Sequence, residues 1–240
     1  MIRIGTSGWT YQHWRGVSYP DGLPQSRWFD HYCKFFDTVE LNATFYRLFP
    51  EKTFEGWRRK APPDFRFAVK LWRWITHRKR LSNVAEDVAV FCRRAEKLGE
   101  KIGPVLVQFP PGLKWSERLV EGFIKTLPTS FYWAFEIRNR DWLNEEFCSL
   151  LNKRDIALIY ADHPRVEMTP EQTFGPFIYL RFHGAGQLYA GSYPDGQLKA
   201  WSERIGNWDR EGKDVWIYFN NDFEGHAVTN AGTLKRMCVT

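Results

Sequence analysis

The strongest constraint in this sequence is an alternation. Short stretches rich in Val, Ile, Phe and Tyr, the residues that suit a pleated strand, recur eight times: Ile2–Thr6, Thr38–Asn42, Arg66–Leu71, Pro104–Phe109, Tyr132–Arg138, Ile156–Ala161, Phe177–His183 and Val215–Asn220. Amphipathic segments lie between most of them. The clearest runs from Val84 to Leu98, with Val84, Val88, Phe91, Ala95 and Leu98 on one helical face, Ser82-Asn83 as a cap and Gly99 as a stop. Others span roughly Ser26–Phe35, Thr53–Lys60, Ser116–Thr126, Leu143–Asn152, Gln197–Arg210 and Ala227–Met237. Strand–helix alternation implies parallel strands joined by crossover helices. Eight such units in 240 residues predict a single α/β domain, a (β/α)8 TIM-like barrel over residues 1–240, since that fold typically takes about 250 residues. A doubly wound open sheet is the alternative. It usually has fewer strands, and no G-x-G-x-x-G follows the first stretch.

The strands are not apolar on both faces. Tyr179, Arg181 and His183 oppose Ile178, Leu180 and Phe182; Ala134, Glu136 and Arg138 oppose Trp133, Phe135 and Ile137. Arg66, Ala68 and Lys70 oppose Phe67, Val69 and Leu71, and Trp216, Tyr218 and Asn220 oppose Val215, Ile217 and Phe219. In a barrel the apolar parity faces the helices and the other faces the interior, with active sites at the strand C-terminal ends. Glu40, Lys70, Glu136, Arg138 and Arg181 would then be interior charges, costly unless paired. Two readings follow: an ion-pair network that fixes strand register, or a polar pocket.

Charge adds a direction. The chain carries +6, yet Arg47–Lys101 alone holds fifteen Lys/Arg against seven Asp/Glu, so the remainder is slightly acidic. A localised cationic face suits an anionic partner, or is a solvated surface. No apolar run approaches the roughly 18 residues that span a bilayer. The cysteines, Cys33, Cys92, Cys148 and Cys238, form no C-x-x-C pair, which argues against a structural zinc or a disulfide framework. Met1 leads directly into the first strand without a signal-peptide stretch, so a cytoplasmic location is expected.

Several motifs carry a resemblance. Ile4-Gly5-Thr6-Ser7-Gly8-Trp9, Trp14-Arg15-Gly16 and Tyr19-Pro20 open it. Thr38-Val39-Glu40-Leu41-Asn42-Ala43-Thr44-Phe45-Tyr46-Arg47, Phe67-Ala68-Val69-Lys70, Ile75-Thr76-His77 and Gln108-Phe109-Pro110-Pro111 continue it. Phe135-Glu136-Ile137-Arg138, Ala161-Asp162-His163-Pro164, Arg181-Phe182-His183-Gly184 and Tyr218-Phe219-Asn220-Asn221-Asp222 complete it. Together they resemble the YecE-like family, a domain family of unknown function, across essentially the whole chain. The resemblance implies a TIM-like barrel and no settled activity. Thr240 closely follows the last helical segment, so no further domain is expected.

The residues themselves favour an anion site. Lys70, Arg138 and Arg181 are read as clamps, because guanidinium and ammonium groups grip phosphate. The run Trp72–Arg80 contains no acid and extends the cationic rim; Gln108, Asn220, Trp72 and His77 complete the expected ligand-binding set. Glu136 or His183 is read as the proton-transfer group and Glu40 as an orienting carboxylate, each glutamate holding a neighbouring cation, Lys70 for Glu40 and Arg138 for Glu136. Interleaved rings, Trp9, Tyr11, Trp14, Tyr46, Trp72, Trp74, Trp142, Tyr189 and Tyr193, suit stacking or packing. The reading is binding of a nucleotide, sugar phosphate or single-stranded nucleic acid, with hydrolysis as a phosphoester hydrolase left open, no membrane partner and no predicted cofactor. One alternative is a non-catalytic nucleic-acid-binding module using Arg73–Arg80. Another is a divalent-metal phosphodiesterase built on Asp162 and His163, though no H-x-H or H-E-x-x-H occurs. The Gly- and Tyr-rich segment 184–196 is expected to be a phosphate loop or lid, or an ordinary turn, and Asn220-Asn221-Asp222 a polar contact or a helix cap.

Overall fold

In the computed structural model, which describes residues 1–163, 175–186 and 188–239, all eight apolar stretches are extended. They make nine strands: β1 (Ile2–Thr6), β2 (Thr38–Leu41), β3 (Arg66–Lys70), β4 (Ile102–Gln108), β5 (Trp133–Glu136), β6 (Ala157–Leu158), β7 (Tyr160–Asp162), β8 (Phe177–Phe182) and β9 (Asp214–Phe219). The α-helices are α1 (Trp28–Tyr32), α2 (Ala43–Tyr46), α3 (Glu51–Lys60), α4 (Ala85–Ala95), α5 (Glu117–Ile124), α6 (Glu145–Lys153), α7 (Asp195–Arg210) and α8 (His226–Val239). The result is a mixed α/β fold built on parallel sheets.

The count differs from the expected eight at one place. The stretch Ile156–Ala161 reads as one strand, but its two ends pair in different sheets: β6 lies beside β5 and β7 beside β8. The change of partner falls at Ile159, whose N–H donates to the Phe135 carbonyl at 2.9 Å. Two helical expectations are also trimmed. The segment from Ser26 becomes a 3-10 turn, Gln25–Arg27, followed by the short α1. Helix α4 ends at Ala95 and runs into a 3-10 segment, Glu96–Lys101, in which Gly99 adopts a φ of 56°. With a ψ of −132° beside it, that conformation is strained for any residue with a side chain, so glycine is required as the stop. Val84, not Ser82 or Asn83, holds the capping position, and it makes no side-chain cap.

The chain divides into two compact units, Met1–Glu40 with 160–169 and 177–240, and Leu41–Ile159 with 170–176. In the first, the strand order is β1-β9-β8-β7. The apolar parity faces the helices. Phe182 stacks on Phe219 at 4.6 Å and meets the edge of Trp201 on α7, while Tyr160 packs on Trp208. The other parity needs close approach. A Cβ on Gly5 would lie 2.3 Å from the Thr38 carbonyl oxygen, so only glycine fits.

The second unit carries the sheet of order β2-β3-β4-β5-β6, the boundary between units falling within β2. Phe135 on β5 packs against Phe109 and Phe123 of α5, and Phe109 stacks on Trp142 at 4.4 Å. Here too the Trp133/Phe135/Ile137 parity is greasy and buried, which leaves Ala134 and Glu136 to the opposite face. Among the described residues, no helix is long and apolar enough to cross a membrane.

Candidate functional site

Each unit gathers its polar strand parity into a cluster, and the two clusters differ in kind. In the first unit, Glu40 is fully buried at the end of β2. Its Oε1 accepts from Ser7 Oγ and Arg181 Nη2, both at 2.7 Å; its Oε2 accepts from Tyr179 OH at 2.8 Å and Arg181 Nε at 2.9 Å. Four donors occupy one carboxylate, and the guanidinium grips it as a two-pronged fork. Strand geometry explains the convergence: Tyr179 and Arg181 are two residues apart on β8, hence on one face, and Ser7 bridges to Glu40 where β1 ends. Burial, together with the Glu40 charge, pushes the Tyr179 hydroxyl well above its ordinary range. Burial does the same to Tyr218, whose OH shares a 2.7 Å hydrogen bond with Thr38 Oγ1.

His183 follows Arg181 on the same face and is also fully buried. Its Nε2 lies 3.4 Å from Arg181 Nη1 and its Nδ1 lies 3.2 Å from the Asn220 amide. A guanidinium can only donate, so Nε2 is the accepting nitrogen. The Asn220 atom nearest Nδ1 is its amide Nδ2, so the other neighbour of the ring is also a donor. His163 and Tyr189 flank the ring at 5.4 and 5.9 Å.

The segment after β8 is pinned. Asn221 Nδ2 donates to the Gly191 carbonyl at 2.9 Å and to Asn230 Oδ1 at 3.0 Å. Asn230 Oδ1 also accepts from the Tyr193 N–H, and its Nδ2 donates to Ser192 Oγ. The segment is tied at Gly191, Ser192 and Tyr193; Gln187, within the stretch expected as a phosphate loop, lid or turn, lies outside the described residues. Asp222 leads into the following 3-10 turn without a side-chain cap, and burial raises its carboxyl above the usual range. Asp162 contributes to the raised state of Tyr193, after burial. Among the described residues, no group of three or more His, Cys, Asp or Glu side chains could hold a metal ion. Pro164, the last residue of the Asp162-His163 motif, lies outside the described residues.

The second unit holds the other cluster. Glu136, fully buried at the end of β5, accepts from Gln108 Nε2 at 2.8 Å and pairs with the Arg138 guanidinium. Lys70, at the end of β3, is buried with its Nζ 4.2 Å from the centre of the Phe45 ring. Thr44 Oγ1 donates to the Lys70 carbonyl at 2.6 Å, which seats α2 against β3. The Arg73 guanidinium stands 5.9 and 5.8 Å from the rings of Phe45 and Tyr46. It forms no ion pair or side-chain hydrogen bond among the described residues. His77 sits on a π-helical turn, Trp74–Arg78, with its ring edge-on to Phe45 at 4.9 Å and its Nδ1 2.8 Å from Thr76 Oγ1. Burial lowers His77 to about 4; the charges of Lys70, Arg73 and Arg138 add to the shift and Glu136 opposes it. The imidazole is therefore neutral near pH 7. Trp72 and Trp74 stack at 5.8 Å, and Trp74 and Tyr46 are exposed.

Two assignments change. The cation on Glu40 is Arg181, not Lys70, because Arg181 shares β8 with Tyr179 and reaches both carboxylate oxygens. For the same reason Arg181 is not an anion clamp: its Nε and Nη2 are already committed. The pairing of Glu136 with Arg138 is present. Tyr179, Ser7 and Phe45 are the site residues that sequence reasoning passed over. Tyr179 was signalled by sharing parity with Arg181. Phe45 stands in the Thr38–Arg47 stretch that carries the family resemblance, but it lies on one short helical turn where no strand parity marks it.

The sequence profile of the family described as protein of unknown function DUF72 matches residues 3–240. The chain belongs to the DUF72 family. The UPF0759 protein YunF of Bacillus subtilis (strain 168) is 26% identical over 263 residues, covering 96% of this chain and 92% of that protein. The UPF0759 protein YecE of Escherichia coli (strain K12) is 29% identical over 140 residues, 58% of this chain and 49% of that protein. A crystal structure of a DUF72 family protein from Thermotoga maritima MSB8 matches with a TM-score of 0.89 and 31% identity, both chains being covered in full. A DUF72 family protein from Enterococcus faecalis V583 shares the fold, with a TM-score of 0.85 at 21% identity over 100% of this chain and 96% of that one. DUF72 membership brings no reaction with it, so function in this DUF72 chain is argued from its two clusters.

Proposed function

We propose that this DUF72 chain binds a phosphate-bearing anion at the second-unit cluster, with Lys70, Arg73 and Arg138 as cationic contacts and Gln108 and His77 as hydrogen-bonding groups. One observation carries the reading. Lys70 Nζ stands 4.2 Å and the Arg73 guanidinium 5.9 Å from the centre of the Phe45 ring that His77 meets edge-on, and Arg73 has no carboxylate partner among the described residues. Such an excess around a half-buried ring is electrostatically costly when empty and is relieved by an anion. Trp72, Trp74 and Tyr46 stand beside the cations, and exposed rings next to Arg and Lys accept a planar group by stacking. The ligand class is therefore a nucleotide, a sugar phosphate or single-stranded nucleic acid.

The reading is binding and not hydrolysis. Glu40 already carries four donors, and Glu136 is held by Gln108 and Arg138, so neither carboxylate presents an uncommitted face to water. The test is titration calorimetry with a nucleoside monophosphate and with inorganic sulfate, on wild type, Lys70→Met and Arg73→Ala. Loss of one charge-assisted contact should weaken binding by about ten- to a hundredfold. Equal affinity in all three proteins would remove the site. For oligonucleotides, affinity that falls steeply with salt would favour a nucleic-acid-binding module.

We propose also that the strands complete one (β/α)8 TIM-like barrel over residues 1–240. Eight strand-and-helix repeats and a family match running through residues 3–240 support this. Unfolding should then be a single transition, coincident by circular dichroism and Trp fluorescence; two separable transitions would mean two domains. None of the four cysteine thiols is in a disulfide, which suits the reducing conditions of a cytoplasmic location.

A further inference from the structure

We infer that His77 sets the charge preference of the anion site: it takes up a proton as a doubly charged anion arrives and then donates an N–H to it. This inference rests on the anion-site reading above and assigns the site a preference for dianions over monoanions.

The geometry leaves one ring nitrogen open. Nδ1 is committed to Thr76 Oγ1 at 2.8 Å, whereas Nε2 has no hydrogen-bond partner among the described residues. Thr76 is fully buried, and a hydroxyl both donates and accepts. Its O–H can donate to a bare Nδ1, and by rotating its oxygen can accept from a protonated one. With Nδ1 bare, the neutral ring carries its one proton on Nε2 and already offers that N–H on the open side; the proton taken up lands on Nδ1, where Thr76 turns to accept it, and what the open side gains is charge and a stronger donor. Phe45 supports the ring edge-on and at the same time carries the Lys70 ammonium over its face. One aromatic ring therefore holds the histidine and the lysine in fixed relation.

The charges that face His77 come from several elements. Lys70 is at the end of β3, Arg73 precedes the π-helical turn, and Glu136 and Arg138 are at the end of β5. On its own turn, Arg78 and Lys79 follow, with Lys79 drawn to Asp87 at 2.6 Å. In the empty site the three nearby cations disfavour a fourth, so the ring stays neutral. A dianion placed among them offsets two of those charges and adds an acceptor for Nε2–H. Both effects favour the imidazolium. A monoanion offsets only one, and its pull on the proton is weaker.

The coupling has a sign. Binding that takes up a proton strengthens as pH falls. Sulfate is the probe, because it stays doubly charged through the whole range and brings no titration of its own. Calorimetry in two buffers of different ionisation enthalpy should show sulfate binding accompanied by uptake of a fraction of a proton. That fraction should grow from about pH 7 to about pH 5, where an ordinary histidine titrates. Nitrate should bind more weakly and with less uptake. His77→Gln should remove the uptake and flatten the pH dependence of sulfate affinity. Histidine ring-nitrogen NMR shifts of the wild type, with and without sulfate, read the same event without a variant: one histidine should titrate at higher pH when sulfate is present. Sulfate binding with no proton uptake, or an unchanged pH slope in His77→Gln, overturns the coupling alone. No sulfate binding to wild type at all overturns the anion site and the coupling with it. Equal binding of nitrate and sulfate overturns the dianion preference.

Discussion

The two clusters use the same kind of residue to opposite ends. In the first unit, a glutamate and an arginine meet with two matched hydrogen bonds, and Ser7 and Tyr179 fill the remaining carboxylate positions. Every strong charge has a counter-charge within 3 Å, and every participant is buried. In the second unit, Glu136 and Arg138 also pair, but Lys70 and Arg73 add positive field around a neutral histidine, and Trp74 and Tyr46 reach the surface. The first arrangement is closed and electrically balanced. The second also buries its pair, but sets it beside cations and exposed rings. Buried, saturated ion pairs fix geometry; partly exposed, biased ones invite a ligand.

The largest effect should come from breaking the balanced cluster. Glu40→Ala leaves the Arg181 guanidinium, the Tyr179 hydroxyl and Ser7 without their acceptor inside the protein. Removing one partner of a buried pair costs about 3–5 kcal/mol. For a chain of this size that is a fall in Tm of roughly 10 °C. Replacing both charges with apolar side chains of similar shape, Glu40→Leu with Arg181→Met, should recover most of the loss, since no unpaired charge remains. Thermal denaturation of the three variants checks this. If Glu40→Ala melts like wild type, the first cluster is not a structural lock and the contrast collapses.

The sequence disclosed this contrast only halfway. Strand parity was enough to place Tyr179, Arg181 and His183 on one face and to put Glu136 beside Arg138, because a period of two is a property of the backbone alone. Positions along a strand do not say which strand end lies nearest, so the partner of Glu40 could not be read. Lys70 was as good a candidate as Arg181 until register decided. The split of Ile156–Ala161 into β6 and β7 is a similar case. Its composition is uniform, and only pairing shows that the chain changes sheets at Ile159. The π-helical turn at Trp74–Arg78 carries no periodic signal, and the acid-free run Trp72–Arg80 showed the bias but not the fold.

A smaller effect sharpens the other side. Arg73 has no carboxylate partner among the described residues, so Arg73→Gln removes a charge without stranding one. Its stability should stay within about 0.5 kcal/mol of wild type, as for a surface substitution, while anion affinity falls. Denaturant titration and calorimetry on one preparation give both numbers. A loss of stability comparable to that of Glu40→Ala would mean that Arg73 is structural and the second cluster is not biased toward a ligand.

The smallest effect is in pH. His77 has a folded-state value of about 4, below the ordinary 6.5 that it regains in the unfolded chain. Between those values the unfolded chain binds the proton and the folded one does not, so unfolding takes up protons and stability rises with pH. The contribution is complete above about 6.5 and is lost as pH falls toward about 4, below which both states are protonated. The ring is only half buried, so the slope is shallow. Denaturant midpoints from about pH 7 to about pH 4 should fall less steeply in His77→Gln than in wild type. An identical slope in wild type and His77→Gln would show that neither burial nor the cationic charges lower His77 in the folded chain, and the contrast between the two clusters would lose its electrical part.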